Sequence, residues 1–130
     1  MVVDTSAIIA ILFGEPEADA LTTIVAEAPD AMMSAFSVLE AGIVVEARKG
    51  EAGGRELDLF LHQARIRIIP LDAEHLATAR TAWRKFGKGR HPAGLNIGDC
   101  CAYALAKHTG NPLLFKDDDF GKTDIPVVAY

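Results

Sequence analysis

Three carboxylates stand alone in apolar stretches of this chain. Asp4 is the only charged side chain between Met1 and Gly14, Glu40 the only one in AFSVLEAGIVV (35–45), and Asp99 the only one in AGLNIGDCCAYALA (93–106). Glu40 follows Phe36 by four residues and precedes Ile43 by three, so the helical period places it on the face expected to pack inward and stay dry. An ionised carboxylate buried without a partner is strongly unfavourable, and these segments hold no Lys or Arg to compensate. A shared divalent cation meets that requirement. A fourth acidic element, Lys116-Asp117-Asp118-Asp119-Phe120, follows the apolar segment Leu113 to Phe115. Taken singly, each acid has a plainer role: Asp4 and Asp99 can start helices, Glu40 can pair with a distant Arg, and the Asp run can be a solvated turn. Their joint occurrence favours a site.

Oxygen-only ligands with room for water suit Mg²⁺ or Mn²⁺ rather than zinc. The four histidines, His62, His75, His91 and His108, follow no metal-ligand spacing, and Cys100 and Cys101 sit together in an apolar helical segment as core residues. The most basic window, Arg84-Lys85-Phe86-Gly87-Lys88-Gly89-Arg90-His91, carries Arg84, Lys85, Lys88 and Arg90 and no acid. Alone it reads as a solvated helix end, with cations at the negative end of the dipole. Beside a carboxylate–metal site it becomes a guide for a phosphate backbone, and the combination is suited to phosphodiester hydrolysis.

The elements that must position these groups follow from the apolar pattern. Met1 to Asp4 reads as a buried strand and Thr5 to Phe13 as a helix that Gly14 ends. Glu15-Pro16-Glu17 marks the start of a helix running to Pro29. Ala31 to Ser34 is a second strand, after which Ser34 caps a helix from Ala35 to about Lys49, closed by Gly50, and another helix spans about Gly54 to Ala64. Arg65 to Pro70 is a third strand. Asp72 caps a helix to about Phe86, a loop follows from Gly87 to Leu95, Asn96 to His108 is helical, and Leu113 to Phe115 and Val127 to Ala129 supply the last strands. Alternating strands and helices predict an α/β fold with a mostly parallel sheet of four to five strands between helical layers. Asp4 and the Asp117 to Asp119 run then fall at the carboxyl edge of the sheet, where open α/β sheets form their ligand crevice.

With 130 residues, half of them apolar, and no repeat or composition break, a single domain over 1–130 is expected. Size scaling predicts roughly 6,700 Å² of accessible surface, about a third of that of the extended chain. The apolar stretch Ala7 to Phe13 is far shorter than the roughly 20 residues of a membrane span and has no basic segment before it, so no membrane role is expected. Adjacent cysteines suit neither an ordinary disulfide nor a zinc cluster, which points to a reducing cytoplasm. The formal charge of −5 argues against non-specific coating of nucleic acid, though two bound divalent ions would remove most of it. Apolar residues of the early helices, such as Ile8, Ile11, Leu12 and Leu39, exceed what one small core absorbs, so a homodimer or a partner-covered surface is expected.

The segments VVDTSAIIAILFGEPEA, SAFSVLEAGIVVEARKG, GKGRHPAGLNIGDCCAYALAKHTGNPLLFKDDDF and TDIP together resemble the PIN-domain ribonuclease toxins of bacterial VapBC modules over nearly the whole chain. The resemblance implies a three-layer α/β/α PIN-like domain, an Mg²⁺- or Mn²⁺-dependent endoribonuclease acting on RNA, and neutralisation by a cognate VapB-like antitoxin whose basic tail reaches the acidic crevice. By position, Asp4, Glu40 and Asp99 match the family's first three acids. The fourth falls at Asp117, which holds the position of the acid in the family's Thr-x-Asp strand end, or at Asp119, just before the aromatic. Phe115 replaces the hydroxyl residue of that element. Thr5 and Ser6 match the hydroxyls after the first acid, and Asn96 the Asn of a Leu-Asn-x-Gly-Asp segment, as supporting residues that orient ligands or water.

Other readings make different demands. A phosphoryl-signalling receiver domain is of similar size and also holds Mg²⁺, but needs an acceptor Asp at the end of its third strand, where this chain has Leu71-Asp72 as a helix start. A dinucleotide-binding domain needs a glycine nest where this chain has Asp-Thr-Ser. A non-catalytic RNA-binding or interaction module would take up no metal.

Overall fold

The structure, a computed structural model, describes residues 1–130. Four short strands, β1 (Val2–Val3), β2 (Met32–Ser34), β3 (Arg67–Ile69) and β4 (Leu113–Leu114), form one parallel sheet in the order β3-β2-β1-β4. Helices α1 (Thr5–Leu12), α2 (Ala18–Glu27), α3 (Ala35–Gln63), α4 (Ala73–Phe86) and α5 (Ile97–Thr109) connect them, and a 3₁₀ turn covers Asp119–Lys122.

Alternation along the strands divides the interior into two cores. Val2, Met32 and Leu113 lie in register on one face and pack with Ala79 and Ala82 of α4 and the buried side of α5. Val3, Met33 and Leu114 face the other way into α1, α2 and α3, against Ile8, Leu21, Val45 and Leu57. Side chains at successive strand positions point to opposite faces, so every strand serves both layers, and the expected three-layer α/β/α architecture results. The accessible surface is 6862 Å², close to that expected from chain length.

Four helices begin on side-chain caps, those at Asp4, Ser34 and Asp72 expected from the sequence and that at Asn96 in place of the helical residue expected there. Asp4, Ser34, Asp72 and Asn96 each accept a hydrogen bond from a backbone N–H of the helix they start. Gly50 has a backbone φ of +67°, which ends the first half of α3 and turns the chain directly into the second half. Room for that corner comes from Gly53, where a Cβ would lie 2.7 Å from Val45 Cγ1.

Several expectations need correction. Helix α2 begins at Ala18 rather than at Glu15, because residues 15–17 form a turn whose acids pair with Lys116 just beyond β4. Val127 to Ala129 gives a single bridge, Leu113 to Val127, rather than a strand. Pro126 accepts from the Leu113 N–H but has no N–H to extend the ladder. Ile8 and Leu12 belong to the core, whereas Leu39 and Ile43 are 60% and 61% exposed. The inward face of α3 is instead Ser37, Ala41 and Val45, which leaves Glu40 half-buried at its margin rather than dry.

Candidate active site

Asp4 ends the central strand and starts α1, so one residue is both strand terminus and helix cap. Its Oδ2 accepts from the Ser6 N–H at 3.0 Å and from the Ser6 hydroxyl at 2.7 Å. Its Oδ1 is buried and has no hydrogen-bond partner. Burial pushes its carboxyl up to about 6, the Ser6 bonds hold it down in part, and the charge of Glu40 raises it further.

Asp99 repeats the arrangement one helix away. The Asn96 side chain accepts from the Asp99 N–H at 2.8 Å, and Asp99 Oδ2 accepts from the Asn96 N–H at 3.0 Å, a capping box that holds the first turn of α5. Burial raises this carboxyl to about 7 against the lowering effect of the Asn96 bond, and the charges of Asp4, Asp119 and Glu40 add to the rise. Glu40 reaches over from α3: a Cβ on Gly98 would stand 2.5 Å from its Oε1 and 2.6 Å from its Oε2.

The charges of Asp4, Glu40 and Asp119 thus reach Asp99, and that of Glu40 reaches Asp4, so acids from four segments act on one another near the carboxyl end of β1. The ion pairs of the protein all use other acids, Glu15, Glu17, Asp30, Glu56 and Asp124. Neither Lys nor Arg neutralises the cluster. No three side chains of the His, Cys, Asp and Glu types close into a ready-made ion cage, and mutual repulsion opposes their closer approach. The donor set still fits a hard divalent ion: it is all oxygen, it carries excess negative charge, and it includes a buried carboxylate oxygen without a donor.

The two candidates for the fourth acid have different surroundings in the structure. Asp119, half-buried at the start of the 3₁₀ turn, is the acid of its segment whose charge reaches Asp99. Asp117 is exposed, and the groups that feel its charge are Lys116 and Tyr130. The reason is the turn itself. Phe120 inserts into the core against Phe115, with ring centroids 5.0 Å apart, and this anchor draws Asp119 inward while Asp117 stays on the outer side of the bend.

The hydroxyls divide in the same way. Ser6 Oγ donates to Asp4 and accepts from the Lys116 N–H at 3.0 Å, tying the end of β1 to the end of β4. Thr5 does not face the acids as expected: its hydroxyl donates to the Ser37 carbonyl at 3.1 Å and joins α1 to α3. Asn96 orients Asp99 through the capping box, with its side-chain oxygen engaged there.

Of the basic window, Arg84, Lys88 and Arg90 line one groove with Asn96, while Lys85 is exposed and lies outside its lining. Sequence reasoning missed Arg80 and Trp83, which line the same groove. The signal was present in their spacing, since Arg80 precedes Arg84 by one helical turn. Cys100 and Cys101 are buried, and burial raises both thiols to about 11, which suits core residues rather than nucleophiles. His75 is buried and stacks on His108 at 4.6 Å, away from any metal-like grouping. At the end of β3, Asp72 accepts from the His75 N–H as a cap, which leaves the receiver reading without its acceptor.

Comparison with known proteins places this geometry. The family model described as PIN domain matches residues 1–126. A Ribonuclease VapC of Mycolicibacterium smegmatis is 55% identical over 98% of this chain and 99% of its own length. Ribonuclease VapC30 of Mycobacterium tuberculosis is 52% identical over 99% of this chain and 98% of its own. The crystal structure of M. tuberculosis VapC20, a sarcin-ricin-loop-cleaving toxin, superposes with a TM-score of 0.80 at 16% identity, over 98% of this chain and 97% of that one. VapBC2 from Rickettsia felis, bound to a DNA fragment from its promoter, gives 0.73 at 19% identity, over 98% and 96%. Its length, its parallel sheet and its full-length relatives agree: the chain belongs to the PIN-domain family, among the VapC ribonucleases.

Proposed function

We propose that this protein is the toxin of a type II toxin–antitoxin module, an endoribonuclease that hydrolyses RNA phosphodiester bonds with Mg²⁺ or Mn²⁺, and that the whole chain acts as one PIN domain. The observation that carries this reading is the buried, unpartnered Oδ1 of Asp4 in a group of acids that feel one another's charge and that no Lys or Arg neutralises. Asp4, Glu40, Asp99 and Asp119 would hold the ion. When bound, such an ion lowers the pKa of a water and stabilises negative charge on the scissile phosphate and the leaving oxygen.

The remaining work falls to the protein. Ser6, through its N–H and hydroxyl, and the Asn96 backbone N–H fix the carboxylates of Asp4 and Asp99, so those oxygens are oriented before metal or RNA arrives. Arg84, Lys88 and Arg90 supply positive charge beside Asn96 and orient the phosphate backbone. The buried thiols, held well above neutral pH, would supply no nucleophile, which leaves water as the attacking group.

A VapB-like antitoxin is the expected inhibitor. Relatives of this fold include a toxin–antitoxin complex from Klebsiella pneumoniae, with a TM-score of 0.75, and the R. felis VapBC2 complex. Leu39 and Ile43, exposed on α3, would meet a second copy or the antitoxin. No helix is long and apolar enough to cross a membrane, and the two free thiols fit a reducing cytoplasm.

The test is cleavage of a fluorophore-labelled single-stranded RNA by purified protein with Mg²⁺ or Mn²⁺, with excess chelator, and with Asp4→Asn. Activity that survives chelation or the substitution would reject the mechanism, and calorimetry showing no uptake of Mn²⁺ would leave an RNA-binding module.

A further inference from the structure

The groove that holds the basic side chains has a volume of about 610 Å³ and lies along α4 and the start of α5. That is within the range of small-ligand sites, roughly 300–1,000 Å³. Its lining combines apolar surface with four cations, Arg80, Arg84, Lys88 and Arg90, and contains no acid, in a chain whose formal charge is −5. Trp83, 45% exposed, forms part of the wall.

The indole is held in place from two directions. Gly87 lies so close that a Cβ there would be 2.5 Å from the ring Cδ1 and 2.8 Å from Nε1, and the Arg90 guanidinium sits over the ring at 4.5 Å from its centroid. Such a pair presents flat, polarisable surface with positive charge attached. The groove also borders residues tied to the acids. Asn96, which shares the capping box with Asp99, lines it, and so does Phe36, one helical turn before Glu40.

We propose that Trp83 is a nucleobase-stacking platform, and that the groove takes an unpaired nucleotide of the RNA next to the phosphodiester at the acidic cluster. This rests on the nuclease reading given above and names a residue that positions the substrate at that site. An aromatic face among cations is the arrangement by which proteins hold single-stranded nucleic acid: the bases stack and the backbone is neutralised. A duplex offers no free base face to Trp83. A second copy of this chain is disfavoured as the occupant, because a two-fold contact through this groove would bring its four cations toward the same four in the partner. The groove therefore reads one position of the strand by stacking.

Trp83 is the only tryptophan of the chain, so its fluorescence reports the site directly. The probe is a short single-stranded RNA with 2′-O-methyl riboses, titrated into wild-type protein in the presence of chelator, beside an abasic strand of equal charge and a duplex of the same sequence. The expected result is saturable quenching by the single strand, little quenching by the other two, and about tenfold weaker binding by Trp83→Ala, largely restored in Trp83→Phe. Unchanged fluorescence on binding, or Trp83→Ala binding as tightly as wild type, would overturn the proposal. So would sedimentation in which the substitution dissolves a dimer and leaves RNA affinity unchanged, which would assign the groove to a second copy. Quenching without metal-dependent cleavage by the wild type would refute the nuclease reading while retaining the platform.

Discussion

The carboxylate of Glu40 stands directly over Gly98, with both oxygens closer to the position of an absent Cβ than any real Cβ tolerates. This contact joins α3 to α5 and brings the second acid beside the third. Gly98→Ala separates its two consequences. The residue lies in the first turn of a helix, where Ala is favoured by roughly 0.5–1 kcal/mol over Gly, and the atoms it would displace are the end of a flexible side chain. The melting temperature should be unchanged or slightly higher, while RNA cleavage falls by tenfold or more as Glu40 is pushed aside. Thermal melts and cleavage rates on the same preparation check this, and full activity in Gly98→Ala would show that Glu40 need not hold its observed position.

The raised carboxyls make the metal-free protein sensitive to pH in a definite direction. Asp4 lies at about 6 and Asp99 at about 7 in the folded state, both above the ordinary value of 3.8. A raised carboxyl contributes most stability when protonated, below its unfolded pKa, and that contribution is lost as pH climbs through its folded value. Metal-free protein should therefore lose stability between about pH 4 and pH 8. Asp4 alone accounts for a difference on the order of 3 kcal/mol, at 1.36 kcal/mol for each tenfold change in proton affinity. Added Mn²⁺ should restore stability at pH 8 and do little at pH 5, because protons compete with the ion for the same oxygens. Asp4→Asn should flatten the profile and abolish activity. Denaturant melts across this pH range, with and without Mn²⁺, measure the effect, and a metal-free protein most stable at pH 8 would contradict it.

Ser6 is the hinge between two strand ends, donating to Asp4 and accepting from the backbone of Lys116. Ser6→Ala removes both bonds and leaves the Lys116 N–H without this acceptor. A stability loss of about 1–2 kcal/mol is expected, with a fall in catalytic rate and weaker apparent affinity for Mn²⁺. Thr5→Val provides the contrast. Its hydroxyl bonds to Ser37 in the scaffold, so stability should drop and metal affinity should not change. Mn²⁺ calorimetry on the two variants distinguishes them, and equal affinities would remove Ser6 from the positioning role.

Much of this arrangement was legible in the sequence because isolated charge in an apolar stretch is a strong local signal. Asp4, Glu40 and Asp99 stood out in that way, and the caps at Asp4, Ser34 and Asp72 were visible as residue types before helices, whereas Asn96 read as the first residue of its helix. What the pattern could not supply was direction. Glu40 has the helical spacing of an inward residue yet sits at the margin of α3, because small Ala41 and Ser37 lie closest to the sheet side and Ile43 turns outward. Thr5 and Ser6 are adjacent hydroxyls with opposite duties, decided by where each falls on the first turn of α1. Trp83 escaped notice because the reading of that segment followed charge, and its groove exists only once α4 and α5 are packed together.

The run Asp117-Asp118-Asp119 shows the same limit and yields the sharpest test. Three identical side chains in succession offer no internal signal of which one turns inward, and the resemblance left both Asp117, at the strand-end position, and Asp119, before the aromatic, as candidates. In the structure Phe120 anchors the turn, and the charge of Asp119 is among those that raise Asp99, which supports Asp119 as the proposed fourth acid. Asp119→Asn should therefore lower cleavage by tenfold to a hundredfold and weaken Mn²⁺ binding, whereas Asp117→Asn should change either by less than about threefold. Phe120→Leu, which keeps the apolar contact but loosens the anchor, should fall between them, with a stability cost of about 1 kcal/mol. Cleavage rates at saturating Mn²⁺ separate a weakened ligand, which excess metal rescues, from a lost catalytic group, which it does not. The opposite ranking of the two Asp variants would return the fourth position to Asp117 and require the segment after β4 to be repositioned when metal binds.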